Sequence, residues 1–146
     1  MNTNANIYAN ILLAVDLTES SELVGRRALA LAGTNARIHL IHVVEYVPVE
    51  PMGEALLPSI RIEEELVERA KARLAELAQR LGLEQSTQII AIGSIKSEIV
   101  RIAQEKHVDL IVLGSRERHG LAILVNFTED TVLHQAPCDV LAVRLR

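Results

Sequence analysis

Residues 10–16 read NILLAVD, and residues 17–21 continue LTESS. The run from Ile11 to Val15 is strand-sized and apolar on both faces, the pattern of a strand covered on both sides. Asp16 closes it. Thr18 then offers a helix cap, and Glu19 and Glu22 fall in the first turn, where the helix dipole favours acids. Val24, Ala28, Leu31 and Ala32 recur at helical spacing, and Gly33 reads as the stop. The chain thus opens with a buried strand leading into an amphipathic helix, the repeating unit of an α/β fold.

The same unit recurs outward from there. Ile38 to Val44 (IHLIHVV) reads as the second strand, followed by a proline-bearing loop from Tyr46 to Pro58. Ser59 reads as the cap of the next helix. Its apolar stripe is Ile62, Leu66, Ala70, Leu74, Leu77 and Leu81, and Gly82 stops it. Thr87 to Ile92 is the third strand, and Gly93-Ser94 turns into a helix with Ile95, Ile99, Ile102 and Ala103 on one face. Leu110 to Leu113 is the fourth strand, closed by Gly114, and a charged loop runs from Ser115 to Gly120. A fourth helix is expected to begin near Asn126 to Thr128, where Asn126 and Glu129 have capping-box spacing. Pro137 follows it, and Val140 to Leu145 is the fifth strand. Alternation throughout implies a doubly wound parallel sheet with right-handed crossovers and helices on both faces.

Composition narrows the function classes. The 146 residues suit one domain, 1–146, with residues 1–9 as an N-terminal arm, and a chain of this length buries about two thirds of its unfolded surface. Aromatic residues make up only 2%, so the core is aliphatic and base-stacking platforms for single-stranded nucleic acid are lacking. The net charge of −4 comes from mixed charges, and no basic stripe invites nucleic acid or an anionic membrane. No apolar run is long enough to span a bilayer. The polar start lacks the pattern of a secretory signal, and the single cysteine, Cys138, fits a reducing compartment, so a cytoplasmic protein is expected.

In open parallel sheets ligands bind beyond the carboxyl ends of the strands, where the strand order reverses. Here those ends carry Asp16-Leu17, Val43 to Glu45, Gly93-Ser94 and Gly114-Ser115.

Four segments in order, ILLAVDLTESS, IHLIHVVE, DLIVLGSRERHGL and APCDVLAVRL, resemble the universal stress protein family over nearly the whole chain. The resemblance implies a flavodoxin-like, nucleotide-binding architecture with strand order 3-2-1-4-5, a homodimer and a role in stress survival or signalling. Family members that bind ATP carry G-x2-G-x9-G-[ST] after strand 4; such glycines let backbone N–H groups approach phosphate. By this resemblance Asp16 matches the ribose-binding acid, with Leu17 beside it, and Val43 and Leu113 match adenine-side positions. Gly114 matches the first glycine, with Ser115 and Arg116 after it. Glu117 replaces the second glycine, Asn126 and Phe127 replace the last glycine and hydroxyl, and the segment is one residue short. Thr128 is the nearest hydroxyl to that end. A carboxylate ~4 Å from a phosphate repels it by about 4 kcal/mol per charge pair at an effective dielectric of 20. That weakens binding on the order of a thousandfold. Arg116, Arg118 and His119 lie in the same loop and offset part of it. The expectation is a protein that requires no cofactor and binds ATP, with Mg, weakly or not at all. The alternative is an adenine-nucleotide switch.

Each residue has a plainer role as well. Asp16 serves equally to cap helix 1 or hold the next turn, and Gly114 to satisfy backbone geometry. His39 and His42 sit three apart in a strand, on opposite faces, so they cannot share a metal, and the other histidines lack ligand spacing. Cys138 reads as a packing residue. Strand 5 is apolar on both faces at Val140, Leu141, Ala142, Val143 and Leu145, yet lies at an edge, which invites pairing with a second copy. No nucleophile–base pair, Walker lysine or G-x-S-x-G elbow points to catalysis.

Overall fold

A computed structural model describes residues 7–45, 56–116, 132 and 134–145. The elements are β1 (Tyr8–Ala14), α1 (Ser21–Leu31), β2 (Ala32–Val44), α2 (Leu56–Arg80), β3 (Thr87–Ile92), α3 (Ile95–Glu105), β4 (Leu110–Arg116) and β5 (Asp139–Leu145). Residues 132, 134 and 135 are helical, within the stretch read as a fourth helix. The start of that helix, at Asn126 to Thr128, lies outside the described residues.

The five strands form one parallel sheet in the order β3-β2-β1-β4-β5. β1 is central, pairing Leu13 with Leu40 on one side and with Val112 on the other. Its continuous apolar run follows from this position: alternate side chains enter two different cores. Ile11, Leu13 and Val15 join Leu40, Leu74, Leu77 and Val112 under α1 and α2. Leu12 and Ala14 join Ile41, Ile99, Ile102 and Ile111 under α3. Ile11, Leu12 and Leu13 are fully buried, and each such side chain contributes about 1.5–3 kcal/mol over leaving it in water.

Several boundaries differ from the sequence reading, each for a local reason. β1 begins at Tyr8, so the first two of its residues come from the stretch read as an arm. Asp109 holds them there: its carboxylate accepts the N–H of Ala9 at 2.9 Å and of Asn10 at 3.0 Å. α1 begins at Ser21 with Ser20 at the cap position and no side-chain cap, because the Thr18 hydroxyl is turned to Asp16 instead. Gly33 does not stop α1. The chain is already extended at Ala32, and β2 starts there with an irregularity: Tyr8 pairs with Ala32 and Asn10 with Arg37. α2 starts at Leu56, which places Pro58 and Ser59 inside it. Proline is tolerated in a first helical turn, where its missing N–H would have no helical partner. β4 runs on to Arg116, so Gly114, Ser115 and Arg116 are paired strand residues, opposite Val143, Arg144 and Leu145, rather than the start of a loop.

The ends of α2 and α3 form the same motif with different residues. After α2, Gly82 (φ 71°) donates to the Gln79 carbonyl and Leu83 to that of Ala78. After α3, His107 (φ 53°) donates to Gln104 and Val108 to Ala103. Both are Schellman closures. Glycine takes the left-handed position freely; histidine takes it at a cost of about 1–2 kcal/mol.

Candidate functional site

The strand order reverses between β1 and β4, and the turn at the carboxyl end of β1 carries Asp16. Asp16 is exposed, while Val15 and Leu17 on either side are buried. One carboxylate oxygen, Oδ1, accepts three hydrogen bonds from the following residues. They come from the Thr18 N–H at 3.0 Å, the Thr18 hydroxyl at 2.7 Å and the Ser21 hydroxyl at 3.1 Å. This carboxylate therefore shapes the β1–α1 turn, the plainer of the two roles the sequence allowed, and remains at the surface.

The main chain around Asp16 is held on both sides. The His42 ring on β2 donates from Nδ1 to the Val15 carbonyl at 2.8 Å; a carbonyl only accepts, so Nδ1 carries the proton. The Arg73 guanidinium on α2 donates from Nη2 to the Leu17 carbonyl. Leu17 is in the left-handed region (φ 62°), and its side chain is sunk in the α1–α2 core. Neither Arg73 nor His42 was singled out for this turn from the sequence. Arg73 is not one of the residues of its helix's apolar stripe, and the packing of α2 across the end of β1 gives it this partner.

The other expected site residues fall nearby, but their side chains mostly turn inward. Val43 and Leu113 are buried in the α3-side core, so a ligand at that end meets their backbone. Gly114 lies on the opposite face of β4. A Cβ there would stand 2.7 Å from Leu145 Cδ1 and 3.3 Å from Val24 Cγ2, so glycine lets β5 and α1 close over the strand. Ser115 is half-buried at the next position. Asn126, Phe127 and Thr128, with Glu117, Arg118 and His119, lie outside the described residues. The structure thus gathers Asp16, Leu17, Val43, Leu113, Gly114 and Ser115 at one end of the sheet.

His39 and His42 occupy opposite faces of β2, as alternation requires: Ile41 and Val43 enter one core, Leu40 and Val44 the other. Among the described residues no three His, Cys, Asp or Glu side chains gather to hold a metal. Nor does any described helix have the length and apolarity to cross a membrane. Cys138 is half-buried and packs against the α3-side core; burial, then the nearby Asp139 and Asp109, push its thiol up and hold it protonated.

Comparison with known proteins agrees with this architecture. A sequence model of the universal stress protein family matches residues 7–144. Universal stress protein A homolog 2 of Coxiella burnetii is 37% identical over 141 residues, covering 95% of this chain and 97% of that protein. Among solved structures, UspA of Lactobacillus plantarum superposes with a TM-score of 0.78 at 25% identity, over 97% of this chain and 100% of that one. A universal stress protein solved in complex with cAMP gives 0.59 at 22% identity, over 93% and 96%. With the family model matched from residue 7 to residue 144 and a relative 37% identical over nearly the whole of both chains, this chain belongs to the universal stress protein family.

Proposed function

We propose that the protein is a non-catalytic, dimeric stress-response protein whose cleft at the carboxyl ends of β1, β2 and β4 binds ATP weakly or not at all. The observation that carries this is the engagement of Asp16. Its Oδ1 accepts three hydrogen bonds from Thr18 and Ser21, so a ribose hydroxyl directed at that oxygen has to share or displace them. Glu117 in place of a phosphate-facing glycine, and Asn126-Phe127 in place of glycine and hydroxyl, act in the same direction. Dimerisation through β5 is supported by its place at the sheet edge and by the apolar Val140, Leu141 and Ala142 on it, none of them fully buried.

A second reading is an adenine-nucleotide switch. It is favoured by the universal stress protein solved with cAMP, which shares this fold, and by the exposed Asp16 at the reversal point of the sheet. Calorimetric titration of the nucleotide-stripped protein with Mg-ATP, beside the Glu117→Gly variant, separates the two. Absence of heat at millimolar ATP in the native protein, with recovery in the variant, supports the first reading and places the loss on one carboxylate. Micromolar binding by the native protein sinks it in favour of the switch.

A further inference from the structure

At the opposite end of the sheet, Asn10 of β1 joins three elements. Its side-chain Nδ2 donates to the Lys106 carbonyl at 2.8 Å and the His107 carbonyl at 3.1 Å, in the two residues that follow α3. Two carbonyls demand the amide's NH2 end, so Oδ1 is turned the other way, 2.9 Å from Nε2 of His39 on β2. An amide oxygen only accepts, so Nε2 of His39 carries a proton. In neutral imidazole the other nitrogen is then a bare acceptor. Nδ1 of His39 is buried with no hydrogen-bond partner among the described residues, in a residue only 9% exposed.

A second proton on this ring is disfavoured from every side described. It would create a buried N–H with nothing to accept it, at a cost of the same order as any orphaned buried donor. Arg37 on the same strand and Lys106 at the end of α3 repel it, and burial is the largest influence lowering the ring's proton affinity. The nearby carboxylate, Asp109, is committed to the N–H groups of Ala9 and Asn10. His107 meets Asn10 through its carbonyl. β3 brings Thr87 opposite His39 in register and carries no charged side chain along its length.

We infer that His39 is a buried acid-sensing latch: neutral, it aims the Asn10 amide at the end of α3; protonated, it must leave its pocket and release that end. The released end is the one closed by His107 in a left-handed conformation, where the strain favours opening. The latch is remote from the candidate cleft and does not depend on any ligand there.

Unfolded chain takes the second proton near the ordinary value of 6.5, whereas the folded protein takes it only at lower pH. Stability therefore falls as pH drops below that ordinary value, and above it this group contributes no pH dependence. The test compares urea unfolding of the native protein and of His39→Gln at about pH 7.5 and about pH 5.5, on either side of the usual histidine range. Glutamine keeps an N–H at the Nε2 position and cannot titrate. The native protein's unfolding constant should rise, relative to the variant's, by up to about tenfold per pH unit in that window. Nitrogen-15 spectra of the native protein should show the Nε2–H tautomer at neutral pH. On acidification, amide exchange should quicken first at Ile102–Val108 and Tyr8–Asn10. An equal pH slope in both proteins, an Nδ1–H tautomer, or titration of His39 at or above the ordinary value would each overturn the latch. The last two are read on the native protein and decide the matter even if the variant does not fold.

Discussion

Arg73 donates a hydrogen bond to the carbonyl of Leu17, 56 positions earlier in the chain, and so fastens α2 to the turn that bears Asp16. Leu17 holds that turn from below, with a left-handed backbone and a buried side chain. Hydrogen bonds from charged groups are worth about 1.5–3 kcal/mol. Arg73→Met should therefore lower stability to urea by about 1–2 kcal/mol, and Arg73→Lys should recover only part, lacking the planar fork. At Leu17 two effects oppose each other. Glycine would relieve about 1 kcal/mol of backbone strain but give up about 1.5–3 kcal/mol of side-chain burial. Burial wins, so Leu17→Gly is expected to destabilise. A more stable Leu17→Gly protein in the same assay would show that the strain dominates.

Gly114→Ala tests what that glycine is for. The added methyl meets Leu145 and Val24, and overpacking of this kind costs about 1–3 kcal/mol. Shortening the obstructing side chain, in Gly114→Ala with Leu145→Val, should restore part of the loss, because the nearest atom is the tip of Leu145. Thermal unfolding of the single and double variants reads this directly. An unchanged melting temperature in Gly114→Ala would mean that β5 and α1 do not close over β4 as described.

Asp16→Ala removes the acceptor for two hydroxyls and one N–H. The turn is exposed, so the loss should resemble that of a helix cap, about 1 kcal/mol. Thr18→Ala, which removes one of the two hydroxyl donors, should cost less and leave the carboxylate more available. If the internal bonds compete with nucleotide, the Thr18→Ala protein shows more heat with Mg-ATP than the native chain. Equal heats would remove that competition as a reason for weak binding.

Ala142 is exposed on β5, the outer strand beside β4. Arginine there should disrupt pairing of two copies while leaving the β4–β5 register intact. Sedimentation velocity should show the native protein as a dimer and Ala142→Arg as a monomer, with unchanged far-ultraviolet circular dichroism. A monomeric native protein would rule out the proposed pairing.

The order of strands and helices was legible because β1, β4 and the later part of β2 are buried on both faces and each of the helices α1, α2 and α3 carries one apolar stripe. Those patterns survive in NILLAVD and in the Leu66–Leu81 stripe whatever the neighbours do. What the sequence hid was set by partners far along the chain. Ala32 to Arg37 carries the signals of a turn, yet it is drawn into β2 by pairing with β1. Gly114 carries the signal of a turn or a phosphate contact; its reason is Leu145, a residue 31 positions later. Asp16 was visible at once, but its three donors only became apparent with the path of the turn. His107 offers no stop signal at all, and its left-handed conformation is stabilised by an asparagine from the first strand.

The turn at the end of β1 is supported by Leu17 in the α1–α2 core, by Arg73 of α2 and by His42 of β2. None of these supports comes from the segment after β4, where the chain departs from the ATP-binding pattern. The three ties can therefore be varied one at a time, at Leu17, Arg73 and His42, with the sequence after β4 left as it is.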